Sequence, residues 1–292
     1  MRELAAYLER VVGACSVVPL DVPGNSHVLE AVDVNGDRWF AKRLGDAGQW
    51  RAEVRAYKNW VPALGDRAPR LRAADRQRRF VVTSAVPGRR GDPFDPDLHQ
   101  AAGELLRRFH SVLPSRTATA TEFADRMAQR LERWLGRVPG LFTADEVDFA
   151  RAQVRLLEQL PLQLQVPCHG DYKPHNWLLD DDGTLRVIDF ADSRWHVRAF
   201  DLTRLYYGPW WGRPKLVERF LEGYGHQLAD HERDFLLLTG PVNAVVIVVW
   251  AHLHGQPAEE QRTRDLFAAL RAGHSPETVE QGRWRRRLRR AH

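Results

Sequence analysis

The chain has 292 residues, 43% of them hydrophobic and 28% charged, which excludes wholesale disorder and at this length suggests two domains or one bilobal unit. The formal charge of +5 sits in the last ten residues, where 283–292 carry six Arg and no acid; residues 1–282 come to −1 and give no general argument for nucleic acid. Cys15 and Cys168 lie far apart, which excludes a disulfide framework or a zinc knuckle. The N-terminus reads as a short amphipathic helix without the apolar core of a signal peptide. The most apolar stretch, 235–250, is interrupted by Pro241 and Asn243, and its clean run 244–251 is too short to span a bilayer. A cytoplasmic protein with a buried core helix and no membrane partner is expected.

Residues 16–84 read mostly as strands. A valine-rich run over 16–22 contains Pro19, which points to a sheet edge, and Pro23-Gly24-Asn25-Ser26 ends it. Residues 27–34 and 38–44 form a hairpin around Asn35-Gly36, a strong turn signal. Strand alternation puts Trp39 and Ala41 on one face and Phe40 and Lys42 on the other. The spacing of Trp50, Val54, Tyr57 and Val61 predicts a helix over 49–61, stopped by Pro62. Strands over 71–74 and 80–84 precede a linker-like run, Pro87-Gly88-Arg89-Arg90-Gly91.

Beyond residue 95 the pattern turns helical. Pro96 suits the first turn of a helix whose apolar face carries Leu98, Ala102, Leu105, Leu106 and Phe109. Thr119-x-x-Glu122 and Thr143-x-x-Glu146 resemble capping boxes, the second opening a helix over 144–160. Loop and short strands are expected over 166–190, and helices resume near Arg198. The sum is an α+β chain: a small β-rich lobe with one helix over 1–86, a larger helical lobe over 87–282 and a basic tail over 283–292.

The chemistry concentrates in Cys168-His169-Gly170-Asp171-Tyr172-Lys173-Pro174-His175-Asn176, followed by Val187-Ile188-Asp189-Phe190-Ala191-Asp192. An acid, an amide five residues later and a second acid 13 residues beyond suit phosphoryl transfer. One carboxylate orients or deprotonates an attacking hydroxyl. The amide and the other carboxylate hold the magnesium that neutralises nucleotide phosphates. Gly183 supplies a turn that lets Asn176 and Asp189 approach across a hairpin, each near a strand end.

These motifs resemble the aminoglycoside phosphotransferase and choline kinase-like family, whose members share the bilobal fold of protein kinases. The resemblance runs in order over residues 20–205. It implies that Asp171 is the catalytic base and that Asn176 and Asp189 ligate Mg2+. It further implies that Lys42 holds the phosphates of ATP or GTP, positioned by Glu53, and that His169 and the buried Asp201 brace the catalytic loop. Lys173 departs from the family's usual pattern and resembles the protein-kinase loop Asp-x-Lys-Pro-x-Asn, where a point charge would sit near the transferring phosphoryl group. The loop 23–27 has one glycine and could cover the phosphates with backbone groups and the Ser26 hydroxyl. Thr83, Ser84 and Val86 are expected to form the hinge that meets the base.

Other features have competing readings. Tyr206, Tyr207, Trp210 and Trp211 either line the acceptor pocket, with Asp192 as a further acid beside it, or pack helices. His252-x-His254 lacks a third ligand at metal spacing. Only four lysines occur, at 42, 58, 173 and 215, against 39 Arg. The expected activity is transfer of a γ-phosphate to a hydroxyl of a small molecule. The expected acceptor is an antibiotic of aminoglycoside, nucleoside or macrolide type. Glu218, Glu222, Asp230, Glu232 and Asp234 are the nearest thing to an acidic set for a polycationic acceptor. The alternatives are a metabolite kinase for choline, a sugar or an amino alcohol, and, from another class, a nucleotide-binding pseudokinase or a nucleic-acid-associated protein using its arginine-rich tail.

Overall fold

A computed structural model describes residues 1–20, 27–161 and 163–275. Ser26 and the arginine-rich tail 283–292 lie outside the described residues. In chain order the elements are α1 (Arg2–Val12), β1 (Cys15–Leu20), β2 (His27–Asp33), β3 (Arg38–Arg43), α2 (Ala47–Asn59), β4 (Leu71–Asp75), β5 (Phe80–Ser84) and α3 (Pro96–His110). They continue as β6 (Arg116–Ala118), α4 (Ala120–Leu135), α5 (Ala144–Leu156), β7 (Gln163–Cys168), β8 (Trp177–Leu179), β9 (Leu185–Val187), β10 (Arg194–Val197) and α6 (Thr203–Tyr206). Three longer helices close the described chain: α7 (Pro214–Tyr224), α8 (Asp230–Leu253) and α9 (Pro257–Arg271).

The chain forms two compact units. One comprises Met1–Pro114 and Pro167–Trp195; the other comprises Ser115–Val166 and the described residues from His196 onward. The linker-like run after β5 therefore lies within the first unit, which keeps α3 and the segment around Asp171 together with the sheet.

In the first unit an antiparallel sheet runs β1-β2-β3-β5-β4. Pro19, which cannot donate to a ladder, lies on the edge strand β1. The Asn35-Gly36 turn sets β2 against β3 with Glu30 opposite Phe40. One sheet face packs Leu29, Ala31, Ala41, Phe80 and Val82 on Leu4, Tyr7 and Leu8 of α1. On the other face, Val81 and Leu71 pack with Val54 and Trp50 of α2. Because strand residues alternate, Ala41 enters the α1 layer while Lys42 emerges on the α2 face.

Helix α2 begins two residues before the expected 49. Asp46 caps the N–H groups of Gly48 and Gln49 at 2.6 and 2.9 Å, and the helix ends at Asn59. Pro62 then sits in the first turn of a 3-10 segment, Val61–Arg67. In α3, Pro96 occupies the first turn behind an Asp95 cap, and Leu98, Ala102, Leu105, Leu106 and Phe109 are buried. Tyr172 is anchored to this helix by donating its hydroxyl to the Ala102 carbonyl at 2.7 Å.

In the second unit both Thr–Glu capping boxes are present, opening α4 and α5. Helix α5 stops at Leu156 and finishes in a 3-10 turn, short of the expected 160. The pairing of β6 with β7 lay outside the sequence expectation for residues 116–118. Helix α8 continues through Pro241 and Asn243. It is long and apolar enough to cross a membrane, yet 67% of its apolar window is buried inside the protein, as a core helix requires. Gly240 on α8 receives the Tyr207 ring, whose hydroxyl donates to the Leu236 carbonyl at 2.6 Å.

A Cβ at Gly240 would stand 2.3 Å from the Tyr207 hydroxyl oxygen. Gly240→Ala is therefore expected to destabilise the protein by about 1–3 kcal/mol, the cost of overpacking a close contact. Thermal unfolding measures this, and an unchanged midpoint would show that Tyr207 yields freely.

Candidate active site

Lys42 stands at the centre of a charge cluster within the first unit. Its ammonium lies 2.6 Å from Glu53 Oε1 on α2 and 2.8 Å from Asp189 Oδ1. Glu53 is fully buried, and its Oε2 has no hydrogen-bond donor among the described residues. Burial therefore pushes the Glu53 carboxyl up to about 7, with Lys42 only partly opposing it. Burial also pulls the Lys42 ammonium down, but the Asp189 and Glu53 carboxylates outweigh this and raise it. The Lys42 cation holds Asp189 down at about 2.

Asp189 is half-exposed, with a side-chain accessibility of 49%. Its φ of 69° places a non-glycine residue in the left-handed region, a conformation that costs about 1–3 kcal/mol. Phe190 behind it is buried between Tyr57, Phe109 and His169 at ring separations of 5.4, 5.6 and 4.8 Å. This anchor keeps Asp189 at the surface of the core rather than in it.

The loop between β7 and β8 supplies the second cluster. Lys173 Nζ lies 2.8 Å from Asp171 Oδ2. Asn176 donates its Nδ2 to the Asp171 carbonyl at 2.9 Å and to Asp171 Oδ2 at 3.2 Å. His169 is buried; its Nδ1 accepts from the Asp171 N–H at 3.3 Å and its Nε2 donates to the Ile188 carbonyl at 3.0 Å. The Asn176 carbonyl accepts from the Ile188 N–H at 3.1 Å. These bonds join the Asp171 loop to the segment that follows β9 and carries Asp189, so β8 and β9 bring the two motifs together. Gly170, at φ 88°, lies so close to the Asp192 backbone that a Cβ would meet its carbonyl oxygen at 2.2 Å.

The donor set fits a hard divalent cation. With the Asn176 amide nitrogen turned to Asp171, its oxygen is left for a ligand. Asp189 is ionised and half-exposed, and it already draws a cation, Lys42, onto one oxygen. Asp192 is paired with Arg194 at 3.3 Å.

In the segment expected as a hinge, Thr83 is buried opposite Phe40. The Ser84 hydroxyl accepts from the Arg70 N–H at 3.0 Å, and its own N–H donates to Arg70. The Ala85 N–H donates to the Arg38 carbonyl at 2.8 Å. Val86 follows as the first residue outside these sheet bonds.

Of the two readings of the aromatic cluster, helix packing describes three of its four members. Tyr206, Trp210 and Trp211 are buried core side chains at 1%, 1% and 6% exposure, so they do not present open ring faces for stacking. Tyr207 is partly exposed, but its hydroxyl is spent on α8. Asp201 is buried in the 3-10 turn Arg198–Leu202. His252 pairs with Glu260 at 3.1 Å and His254 stacks on Trp250, so the two histidines serve separate local contacts. Sequence reasoning missed Arg90, whose guanidinium reaches His175 beside Asn176. A side-chain contact across 85 residues leaves no local spacing signal.

The profile of the phosphotransferase enzyme family matches residues 23–236. The chain belongs to the phosphotransferase enzyme family. It is a small-molecule phosphotransferase with an α+β, kinase-like fold. No curated protein matches the sequence at a significant level. Among solved structures, the chain is similar to the GDP and kanamycin complex of APH(2")-IIia at TM-score 0.70 and 14% identity, covering 94% of this chain and 100% of that one. The choline kinase LicA from Streptococcus pneumoniae gives the same four values. The macrolide 2'-phosphotransferase MphH from Brachybacterium faecium, as apoenzyme, gives TM-score 0.60 and 15% identity, covering 92% and 98%.

Two outcomes follow for this phosphotransferase. A carboxyl raised from 4.5 to about 7 holds, in the folded chain, a proton that the unfolded chain has already released. Stability contributed through Glu53 therefore falls as pH rises between those values. Asp189, lowered from 3.8 to about 2, contributes with the opposite sign and loses its contribution only as pH falls through that lower range. Urea unfolding between pH 4.5 and 7 should show the Glu53 slope in the wild type and lose it in Glu53→Gln; identical slopes would refute the buried proton. Gly170→Ala should reduce transfer by at least about 10²-fold, the scale on which misplacing reacting groups acts. Wild-type turnover in that variant would mean that the contact with Asp192 is soft.

Proposed function

We propose that this enzyme transfers the γ-phosphate of ATP or GTP to a hydroxyl of a small-molecule antibiotic, acting in the cytoplasm with Mg2+. The observation that carries this reading is the placement in one compact unit of Lys42 on Glu53 and Asp189, and of Lys173 and Asn176 on Asp171. Asp171 orients the acceptor hydroxyl and takes its proton as the oxygen attacks phosphorus. Lys42 holds the nucleotide phosphates, and Glu53 fixes the ammonium from the buried side. Lys173 brings a compact positive charge beside Asp171, where it stabilises charge on the transferring group. Asn176 and Asp189 would hold Mg2+, which supplies charge neutralisation to the phosphates. The backbone of Thr83–Val86 meets the base, with the Val86 N–H as donor.

The charge arrangement of the second unit favours an acceptor less cationic than an aminoglycoside. Glu222 pairs with Arg219 at 2.8 Å, Asp230 with Arg233 at 3.3 Å, and Glu232 is buried against Arg198. Three of the five acids that a polycation would need are thus met by this chain's own arginines. A neutral or singly charged acceptor of macrolide or nucleoside type suits such a surface better.

The test is a screen of hydroxylated antibiotics and metabolites with ATP and with GTP, read as nucleoside diphosphate release. Asp171→Ala is expected to lower transfer by about 10³-fold or more with an unchanged unfolding midpoint, and Lys42→Ala by about 10²–10³-fold with a lowered midpoint, because Glu53 is left buried without its partner. Full activity in Asp171→Ala would sink the assignment of the base. Turnover confined to choline, sugars or amino alcohols would replace the antibiotic reading with a metabolite kinase.

A further inference from the structure

We propose that Arg90 is a positioning residue that fixes Asn176 from the linker behind β5, a role that rests on the metal assignment made above. Arg90 donates its Nε to the His175 carbonyl at 3.1 Å, while its Nη2 lies 3.0 Å from His175 Nε2. One planar guanidinium therefore grips both the backbone and the ring of the residue immediately before Asn176. A lysine's single point of donation cannot do this.

The same linker holds the chain on the other side of Asn176. Arg89 and Leu179 exchange both backbone hydrogen bonds, at 2.9 and 2.8 Å. Gly88, at φ 116°, lies against this strand so closely that a Cβ would be 3.0 Å from the Leu179 carbonyl carbon. Asn176 is thus clasped from His175 and from Leu179 by three consecutive linker residues. Its own carbonyl then accepts from Ile188, the residue before Asp189. A continuous set of hydrogen bonds runs from the linker through His175 and Asn176 to the segment carrying Asp189.

Arg90 and His175 are both exposed. Truncating Arg90 opens no cavity and leaves the Arg89–Leu179 pair in place, so its effect falls on the geometry of Asn176 rather than on folding. The expected change is in metal affinity at the nucleotide complex, with little change in affinity for the nucleotide alone.

Mn2+ binding to the full chain with ADP, followed by the electron paramagnetic resonance signal of free Mn2+, tests this without turnover. Arg90→Ala should raise the Mn2+ half-saturation by about tenfold, the worth of one charge-assisted hydrogen bond. Arg90→Lys should recover part of that loss, because an ammonium can still reach the His175 carbonyl. Metal-free ADP affinity, measured by calorimetry, and the unfolding midpoint should match the wild type. Wild-type Mn2+ affinity in Arg90→Ala overturns the proposal, as does an equal fall in metal-free ADP affinity. Asn176→Ala separates the two levels: if that variant binds Mn2+ as the wild type does, the metal assignment fails and the Arg90 role falls with it. If Asn176→Ala loses Mn2+ and Arg90→Ala does not, the Arg90 role alone is wrong.

Discussion

One ammonium group organises the site. Burying a cation is unfavourable unless compensating groups stand close by, and Lys42 meets two, the Asp189 carboxylate and the buried Glu53 carboxyl. The two partners differ in kind. Glu53 is fully buried, whereas Asp189 is half-exposed. A ligand arriving from solvent can therefore compete for Asp189 and for the outer side of Lys42 while Glu53 still holds the stem in place. Helix α2 makes this possible because its Asp46 cap, its Val54 contact with the sheet and its Tyr57 contact with Phe190 fix Glu53 at both levels. The 100-fold or greater dependence of transfer expected on Lys42 reflects this dual use of one charge.

The second constraint is that both polar motifs are held by backbone groups. His169 joins the Asp171 N–H to the Ile188 carbonyl, and the Asn176 carbonyl takes the Ile188 N–H. Gly170 allows the Asp192 backbone to come closer than any side chain would permit. Backbone bonds thus carry the junction between the two motifs, while the side chain of Asp171 meets Lys173 and Asn176 and that of Asp189 meets Lys42. The left-handed backbone at Asp189 is sustained by the same surroundings, chiefly the buried Phe190.

Much of this was legible in the sequence because it was written in local spacing. Pro19 marked an edge strand, Asn35-Gly36 a hairpin, and the two Thr–Glu boxes opened helices where they stand. The placement of Lys42 opposite Ala41 followed from strand alternation alone. What was not legible depends on contacts between distant segments. Burial of Tyr206, Trp210 and Trp211 is set by which helices cover them, and an aromatic run reads the same whether it lines a pocket or fills a core. The β6–β7 pair unites residues nearly fifty positions apart, and three residues carry too little alternation to announce a strand. Arg90 looked like linker composition until the loop it grips was in place.

The excess of arginine also takes on a physical meaning. Arginine forks suit carboxylates, and across the second unit they cover Glu222, Asp230 and Glu232, while in the first unit Arg186 meets Asp180 at 2.5 Å. These acids are thereby met within the chain by its own arginines. Lys42 and Lys173, by contrast, stand beside Glu53, Asp189 and Asp171. A compact ammonium can shift between a carboxylate and a phosphate by rotating one stem, whereas a guanidinium bound through two parallel bonds must break both. Under the proposed mechanism a division of labour follows: arginine closes the scaffold's charges, and Lys42 and Lys173 carry the charges that change partners.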